Sequence, residues 1–441
     1  EKNNKPSKDL PLGFVDRQEK ELLVRDFIIS NIKEVMIKYG FQYLETPSFE
    51  YSDSIGKFLP DKDRPDEGVF SFKDENKWLS LRYDLTAPLA RYVAKNYLEI
   101  TKPFKRYQLG TVWRNEKPGP GRFREFLQFD ADFVGTKSLQ ADAELCVMIS
   151  EILENCGLTK SEYIIKISSR KITEELFKKI NINDIQQKLT ALRALDKIDR
   201  LGWNGVKELL GEGRKDKSGD FTKGANLKPE DIKIIEETLK RNSPETEDLD
   251  EILKIFKDYN FNNFEFDPSI IRGLEYYTGA IFEVSLRFDV TNNKGQVIQF
   301  GSIGGGGRYD NLVNNFGNYD APATGISIGL DRLVYALMQK KEFKIKQSKP
   351  VVICVFDKNS MKDYINAQTI LREAGVSAEI YPGESKLKKQ MEYANKIKSP
   401  AVILYGENEI KSGKPTLRNL SSGEEKSIEI KELVNEIKKI I

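Results

Sequence analysis

The most informative segment of the sequence is TVWRNEKPGPGRFREFLQFDAD, residues 111–132. It contains two runs that favour β-strands, joined by the turn PGPG at 118–121, and so predicts a β-hairpin. After the turn, apolar and polar residues alternate in the order Leu127, Gln128, Phe129, Asp130, Ala131 and Asp132. Because successive side chains of a strand point to opposite faces, this strand has one polar and one apolar face. The hairpin is therefore predicted to belong to a sheet with a polar face.

Further strand patterns place this hairpin in a larger sheet. Runs rich in β-branched and aromatic residues occur at 78–86, 104–114, 123–135, 280–288 and 297–310. Polar turns separate them, which favours an antiparallel sheet over a series of βαβ units. A helix is predicted over 18–40, where apolar residues recur at helical spacing up to a terminal glycine.

Two other segments differ in character from this sheet. Between Thr173 and Asn260, amphipathic helical patterns joined by turns indicate a helical insertion between parts of one sheet. After the basic linker FKIKQSK at 343–349, patterns alternate as β-α-β-α-β, which is typical of a separate α/β domain. At roughly 150 residues per domain, the chain of 441 residues accommodates these parts.

The composition excludes several kinds of site. The chain contains no histidine, so Ser-His-Asp and Cys-His nucleophiles and imidazole zinc ligands are excluded. Its three cysteines form no CxxC pair, which argues against a disulfide framework and fits a reducing compartment. No run approaches the length of a membrane span and the first ten residues carry no targeting pattern, so we expect a cytoplasmic protein without a membrane partner. The net charge of +2 decides little about partners.

The hairpin concentrates positive charge. Arg114, Arg122 and Arg124 lie within eleven residues, and such charges repel one another unless an anion lies among them, for which a guanidinium offers bidentate contacts. The alternative is a solvated basic hairpin. The polar residues that recur on one face of the following strand make that alternative less favourable.

Three further motifs are weak when each is taken alone. RGLEYYTGAIFE (272–283) precedes a strand, and its paired tyrosines are equally typical of an ordinary loop. GGGGRYD (304–310) allows close approach to the backbone, but it lacks the GK[ST] of a phosphate-binding P-loop. TGISIGLDRL (324–333) leads from a strand of small residues into a helix that carries Arg332.

In this order, the hairpin and the three motifs resemble the signatures of histidyl-tRNA synthetases, a family of class II aminoacyl-tRNA synthetases. Residues 33–51 are similar to motif 1 of that class, 104–135 to motif 2 and 325–337 to motif 3. RGLEYYTG and GGGRYD resemble the two signatures peculiar to the histidine-specific family. The resemblance implies an α+β fold, with an antiparallel sheet flanked by helices, a helical insertion and a C-terminal α/β anticodon-binding domain.

The resemblance also implies domains, partners and a reaction. The catalytic core would span 1–170 and 263–342, the insertion 171–262 and the anticodon-binding domain 349–441. The expected partners are L-histidine, ATP, tRNA(His) and a second copy of the chain, in a homodimer formed through motif 1. The implied reaction first makes histidyl-adenylate and pyrophosphate and then transfers the histidyl group to the terminal ribose of the tRNA.

For ATP, the resemblance implies five residues: Arg114 at the α-phosphate, Glu116 and Arg122 near the distal phosphates and the adenine, Phe126 stacked on the adenine, and Arg332 at the γ-phosphate. Arg114 and Arg272 are implied to be catalytic. Arg272 would face the α-phosphate from the side where other class II enzymes place a metal ion. No protein-held metal is expected, and Mg²⁺ would arrive with ATP.

For histidine, the resemblance implies a pocket on the same sheet. Asp84 and Thr86 would bind the α-amino group, and Gln128 would bind the amino-acid backbone. Asp132 would accept an imidazole N–H. Tyr276 and Tyr277 would contact the opposite edge of the imidazole ring. The ring would lie above the glycine run, at Gly305.

Two alternatives stay open at this point. A catalytically silent paralogue, such as the histidine-binding regulatory subunit of ATP phosphoribosyltransferase, shares the core but usually lacks the C-terminal domain and some of the arginines. A plain RNA-binding scaffold would not account for the amino-acid pocket.

Overall fold

The computed structural model describes residues 7–56, 68–119, 121–216, 219–271, 277–292, 294–298, 300–340, 343–345 and 347–441. The chain divides into two compact units, Glu1–Lys344 and Ile345–Ile441. Among the described residues, no helix combines the length and the apolar character needed to cross a membrane.

The first half of the larger unit builds one end of the main sheet and its covering helices. Its elements are α1 (Glu19–Lys38), β1 (Gln42–Tyr43), β2 (Phe49–Tyr51), α2 (Ser52–Gly56), β3 (Ser71–Asp74), β4 (Lys77–Leu81), α3 (Thr86–Lys95), β5 (Phe104–Trp113), β6 (Glu125–Val134), α4 (Leu139–Asn155) and β7 (Tyr163–Ser169).

A mainly helical segment follows and has an apolar core of its own. It consists of α5 (Arg170–Lys179), α6 (Ile185–Leu195), α7 (Ile198–Leu210), β8 (Gly213–Lys215), β9 (Phe221–Lys223), α8 (Pro229–Leu239) and α9 (Glu247–Asp258). Side chains from several of these helices, among them Phe177, Leu195 and Leu210, bury one another in a single cluster.

The chain then returns to the main sheet. The elements are β10 (Phe264–Phe266), β11 (Ala280–Leu286), β12 (Val290–Thr291), β13 (Val297–Ile298), β14 (Ser302–Arg308), β15 (Ala323–Gly329) and α10 (Leu330–Leu337), with a 3₁₀ turn at Val313–Phe316. The eight strands of the sheet lie in the order β1-β5-β6-β15-β14-β11-β7-β10.

The predicted antiparallel sheet is confirmed for its six central strands, from β5 to β7. The two edge strands differ, because β1 pairs with β5 and β10 pairs with β7 in parallel. A parallel pair needs a long crossover connection, and the helical segments between the paired strands supply it. β7 is absent from the predicted strands, although its sequence YIIKISS is rich in β-branched residues.

The strand predicted at 78–86 is only half correct. β4 ends at Leu81 and belongs to a separate three-stranded sheet, β2-β4-β3. The second half of the run leads into α3 instead, where Asp84 Oδ1 accepts a hydrogen bond from Ala87 N at 3.0 Å. An aspartate at this position satisfies a free N–H of the first helical turn, so it favours a helix start over a longer strand.

The two faces of the main sheet have opposite chemistry. On one face, the apolar residues Phe129, Ala131, Ile326, Ile328 and Phe282 are buried. α4 packs against β15 on this side and α10 against β6, while α1 packs against both helices. The other face carries the polar residues of β5, β6 and their neighbours. The alternation read from the hairpin therefore extends across the whole sheet.

The smaller unit is an α/β domain with a five-stranded sheet. Its elements are β16 (Val351–Cys354), a 3₁₀ turn (Lys358–Ser360), α11 (Met361–Glu373), β17 (Ala378–Ile380), α12 (Leu387–Lys396), β18 (Ala401–Leu404), α13 (Glu407–Ser412), β19 (Thr416–Asn419), β20 (Glu425–Ser427) and α14 (Leu433–Lys438). The strand order is β17-β16-β18-β19-β20. Separate apolar clusters involve α11 with α14 and α12, so helices cover both faces of the sheet.

Gly306 in β14 lies where no side chain fits. A Cβ built on this residue would lie 2.1 Å from Gly325 O and 2.6 Å from Ile326 Cα. We expect Gly306→Ala to lower the free energy of unfolding by about 1–3 kcal/mol, because the clash is with backbone that cannot move aside. Denaturant titration followed by circular dichroism measures the effect.

Gly119→Ala is the matched control, because a Cβ at Gly119 meets nothing within 4 Å. This variant should keep the wild-type unfolding midpoint. Equal midpoints for the Gly306 and Gly119 variants would contradict the prediction.

Candidate active site

Residues of the polar face of the main sheet lie in rows that cross the strands. Register aligns Asp130 with Ser327 on the next strand, and Ser327 in turn with Gly305 and then Glu283. A second row runs from Arg106 through Asp132 to Gly325, Gly307 and Ile281. Directly paired residues lie on the same face of a sheet. The central strands therefore bring together residues that are distant in the chain, such as Arg106 and Gly325.

Asp132 lies at the centre of this face and is buried. Its Oδ1 accepts a hydrogen bond from the hydroxyl of Tyr309 at 2.5 Å. Its Oδ2 lies 3.0 Å from Nη2 of Arg106 but accepts no aligned hydrogen bond from any described residue. The opposing residue is Gly325, where a Cβ would lie 1.9 Å from Asp132 Oδ1. The glycine thus leaves the space that the carboxylate occupies.

Asp130 is a second buried carboxylate, two residues along the same strand. Gln128 Nε2 donates to its Oδ1 at 2.7 Å, and Thr86 Oγ1 donates to its Oδ2 at 3.3 Å. Gln128 and Thr86, both predicted to bind histidine, therefore lie within one hydrogen-bonded group. Asp84 lies at the start of the same helix as Thr86, and burial raises its pKa.

The two neighbouring carboxyl groups titrate abnormally. Burial raises the pKa of Asp130 to about 7, and the charge of Asp132 adds to the rise. Burial also raises the pKa of Asp132, while Arg106 and the Tyr309 hydroxyl oppose the rise. Perturbed carboxyl groups of this kind cluster at functional sites. Asp130 can therefore take up or release a proton near neutral pH as its surroundings change.

The motif 2 hairpin holds its first arginine between two aromatic rings. The guanidinium carbon of Arg114 lies 4.5 Å from the ring centroid of Tyr83 and 5.2 Å from that of Phe126. Arg114 Nε also donates to Tyr83 O at 3.2 Å. The Tyr83 hydroxyl donates to Glu116 Oε1 at 2.7 Å. Three residues predicted to bind ATP, namely Arg114, Glu116 and Phe126, therefore lie together around Tyr83.

The other two arginines of the hairpin have different surroundings. Arg122 is exposed, and its backbone exchanges hydrogen bonds with Gly119 across the turn. Arg124 Nε donates to Glu116 O at 3.0 Å, which helps to fix the loop that carries Glu116. The side chain of Arg122 is thus the one that points into solvent at the hairpin tip.

Arg332 is fixed by backbone carbonyls near the start of β14. Its Nε donates to Ser302 O at 2.9 Å, its Nη2 donates to Phe300 O, and its guanidinium lies over the Phe300 ring. The preceding residue, Asp331, accepts a hydrogen bond from Leu127 N at 2.9 Å and pairs with Arg17 at 2.8 Å. The start of α10 is therefore attached directly to the hairpin strand.

The glycine run of β14 lies beneath one of the predicted tyrosines. A Cβ on Gly307 would lie 3.2 Å from Tyr277 Cδ1 and 2.4 Å from Ala280 O. Gly305 accepts a hydrogen bond from Ser327 Oγ at 3.1 Å through its carbonyl. Arg272 and Tyr276, both predicted site residues, lie outside the described residues.

Four residues of this site were not among those predicted: Tyr83, Arg106, Asp130 and Tyr309. Asp130 was visible in the alternation of the hairpin strand, and Tyr309 lies within the GGGGRYD motif. Arg106 lies within the segment similar to motif 2, but nothing in its local sequence marks it as a site residue. The pairing of β5 with β6 brings it to Asp132.

Comparisons with known proteins agree with these features. A family model for histidyl-tRNA synthetase matches residues 13–333, and an anticodon binding domain model matches residues 349–440. A histidine–tRNA ligase of Bartonella quintana (strain Toulouse) is 46% identical, over 98% of this chain and 92% of that protein. One from Rhizobium meliloti (strain 1021) is also 46% identical, over 96% of this chain and 90% of that protein.

A solved structure extends the likeness to the fold. The crystal structure of histidyl-tRNA synthetase from Nostoc sp. PCC 7120 is similar with a TM-score of 0.75 at 27% identity, covering 99% of this chain and 100% of that chain. The fold, with its arginine-bearing hairpin and glycine-rich strand, is that of a class II aminoacyl-tRNA synthetase. The chain belongs to the histidyl-tRNA synthetase family.

The raised pKa of Asp130 predicts a pH-dependent stability. An unfolded aspartate has a pKa near 3.9, whereas the folded value is about 7. The stability that the protonated form provides is present below about pH 4 and is lost as the pH rises through about 7. Asp130→Asn cannot ionise and keeps groups that can bond to Gln128 and Thr86.

We therefore expect Asp130→Asn to raise the thermal unfolding midpoint, relative to wild type, more at pH 8 than at pH 5. Scanning fluorimetry of both proteins at both pH values measures this difference. An identical difference at the two pH values would show that Asp130 does not have the raised pKa.

Proposed function

We propose that this chain joins L-histidine to the 3′ end of tRNA(His) in two steps. ATP and histidine first give histidyl-adenylate and pyrophosphate, and the histidyl group then passes to the terminal ribose. The family match over 13–333 and the 46% identical ligases support this assignment. The choice of amino acid rests on Asp132 Oδ2, a buried acceptor on the polar face. It accepts no hydrogen bond from any described residue, although Arg106 lies 3.0 Å away.

The regulatory-subunit alternative is less well supported. The relatives that match nearly the whole chain are histidine–tRNA ligases, and the anticodon binding domain model matches 349–440. Arg114 and Arg332 are both present in the polar site. A protein that only senses histidine needs neither an anticodon-binding domain nor arginines placed for phosphate.

We propose that Arg114 binds the ATP α-phosphate and stabilises the charge that develops there during adenylate formation. The rings of Tyr83 and Phe126 hold its guanidinium from both sides, so little reorganisation is needed when the charge appears. Phe126 would offer a ring face to the adenine, and Glu116 would approach the adenine side. Arg122, which is exposed at the hairpin tip, would meet the distal phosphates.

We propose that Arg332 binds the γ-phosphate and that Arg272 is the second catalytic arginine, on the other side of the α-phosphate. We also propose that Mg²⁺ arrives bound to the ATP phosphates. A magnesium ion bound in this way needs only one or two protein carboxylates. Among the described residues, no group of three or more Cys, Asp or Glu side chains is arranged to hold a metal ion.

For histidine, we propose that Asp132 Oδ2 accepts an imidazole N–H. Asp84 and Thr86 would hold the α-amino group and Gln128 the amino-acid backbone. Tyr277, which lies over Gly307, would contact the ring together with Tyr276, above the backbone of Gly305. A site that bonds both polar edges of a ring rejects analogues that lack them, because its buried groups would then stay unpaired.

We further propose a homodimer, formed by the surface around motif 1. Exposed aromatic side chains concentrate there, at Tyr43, Phe49, Tyr51, Phe72 and Trp78. An aromatic surface of this kind is typical of a protein interface. Residues 349–441 would bind the anticodon, with 1–170 and 263–342 as the catalytic core and 171–262 as an insertion. Because tRNA charging serves protein synthesis, we propose a cytoplasmic location.

Histidine-dependent ATP–pyrophosphate exchange tests the first step. We expect exchange by the wild-type protein, and a decrease of about 10²–10³-fold in its rate for Arg114→Ala, because the charge at the α-phosphate loses its main partner. Arg287→Ala is the matched control, since Arg287 forms an exposed ion pair with Glu265. Absence of exchange by folded wild-type protein would refute the synthetase function.

Asp132→Asn tests the amino-acid pocket. The amide can still accept a hydrogen bond from Tyr309, but its NH₂ then replaces Oδ2 and faces the imidazole N–H. We expect loss of histidine binding with ATP binding retained, measured by calorimetry with each ligand separately. Unchanged histidine affinity would remove Asp132 from the pocket.

A further inference from the structure

Arg106 is a fully buried arginine on the polar face of the sheet. It is among the largest side chains with no exposed surface in the described part of the chain. Its Nη2 donates to Leu85 O at 3.1 Å. Its Nε and Nη1 are buried and have no hydrogen-bond partner among the described residues. Buried donors without partners are costly, and they are uncommon in native structures.

Arg308 on β14 is a buried arginine with a structural role, and its hydrogen bonds provide a comparison for those of Arg106. Its Nη1 donates to Thr136 O at 2.8 Å and its Nη2 to Ser138 O at 3.1 Å, while its Nε donates to Asp142 at 3.1 Å. All three nitrogens therefore have partners. Arg106 differs from Arg308 because its Nε and Nη1 have no hydrogen-bond partner among the described residues.

The pairing of β5 with β6 places Arg106 directly opposite Asp132. Nη2 lies 3.0 Å from Asp132 Oδ2, and Tyr309 holds the other carboxylate oxygen. A guanidinium on one side and a hydroxyl on the other leave the carboxylate little freedom to rotate. Oδ2 is thereby presented as an acceptor that no described hydrogen bond occupies.

The charges around Asp132 explain why a cation is needed there. The ionisable groups that face it come from four elements: Asp130 on β6, Arg106 on β5, Asp84 before α3, and Tyr309 after β14. Arg82 lies near Asp130 as a further cation, and β15 contributes Gly325, which does not ionise. Buried carboxylates repel one another, and the loss of a buried partner leaves a charge uncompensated.

Resting on the histidine-charging function proposed above, we infer that Arg106 is a positioning residue for amino-acid selection. Its guanidinium offsets the charge of Asp130 and holds Asp132 ionised and oriented, so that Oδ2 accepts the imidazole N–H of the substrate. Arg106 acts through Asp132 and does not itself contact the reacting atoms. Arg106 therefore affects the affinity for histidine and not the reaction at the ATP α-phosphate.

This role changes the pH dependence of histidine use in a defined direction. Without the guanidinium, the pKa of Asp132 rises, so a higher pH is needed to ionise the acceptor. The acidic limb of kcat/KM for histidine then moves to higher pH. The chain contains no histidine of its own, and the titration of free substrate is common to all variants. A shift between variants therefore reports the carboxylates of the pocket.

The experiment compares wild type with Arg106→Gln, Arg106→Lys, Asp130→Asn and the double variant Arg106→Gln/Asp130→Asn in histidine-dependent ATP–pyrophosphate exchange. For Arg106→Gln, we expect KM for histidine to rise about tenfold or more, because a buried partner of Asp132 is lost. KM for ATP and kcat should change much less. The acidic limb should move up in pH.

The double variant tests whether the effect of Arg106 depends on the charge of Asp130. Asp130→Asn removes the second carboxylate, so Asp132 needs less compensation and histidine use should recover most of the loss. Arg106→Lys keeps the charge but not the planar fork, so we expect a raised KM for histidine with an unshifted acidic limb. This conservative variant also tests the proposal if Arg106→Gln fails to fold.

Three results would overturn the inference: equal losses in kcat and in both KM values for the Arg106 variants, an unmoved acidic limb in Arg106→Gln, or purely additive effects in the double variant. Each would mean that Arg106 serves only stability. Thermal unfolding of every variant separates these results from misfolding. Absence of exchange by wild type would instead overturn the proposed function, and this assignment with it.

Discussion

Five neighbouring strands share one alternation of side chains, and this alternation separates the apolar core from the polar face. Once β5, β6, β15, β14 and β11 pair in their observed register, every second residue of each strand faces the same side. One side buries apolar residues against α1, α4 and α10. The other side is then free to collect charge without loss of core. A shift of one residue in any of these strands would exchange the two faces.

This arrangement concentrates ionisable groups in a place that excludes much of the water. Asp130 and Asp132 tolerate burial because Tyr309, Gln128 and Thr86 donate hydrogen bonds to them, and because Arg106 forms an ion pair with Asp132. Outside the site, the pair of Arg308 with Asp142 joins β14 to α4 with well-paired donors. The contrast between a fully paired structural arginine and a partly paired one at the site is the clearest sign that the two serve different purposes.

Segments outside the main sheet carry two further arginines of the site, Arg114 and Arg332. The hairpin carries Arg114, and the segment before α3 carries Tyr83 and Asp84, so two parts of the chain separated by 30 residues meet at one guanidinium. Backbone carbonyls at the start of β14 fix Arg332 in a similar way. The strands thus provide a rigid frame, and the hairpin and the start of α10 carry the arginines that we propose for phosphate binding.

Local periodicity predicted the hairpin, the polar alternation at 127–132 and the separate α/β domain. The residues proposed for the substrates came from the resemblance of the motifs to a known family. The parallel edge strands, the helical start at Asp84 and the position of Arg106 became apparent only in the folded structure. Strand pairing, and not any local pattern, brings Arg106 to Asp132 across the sheet. The reason is physical: periodicity fixes which face a side chain takes, but only register fixes which side chains share it.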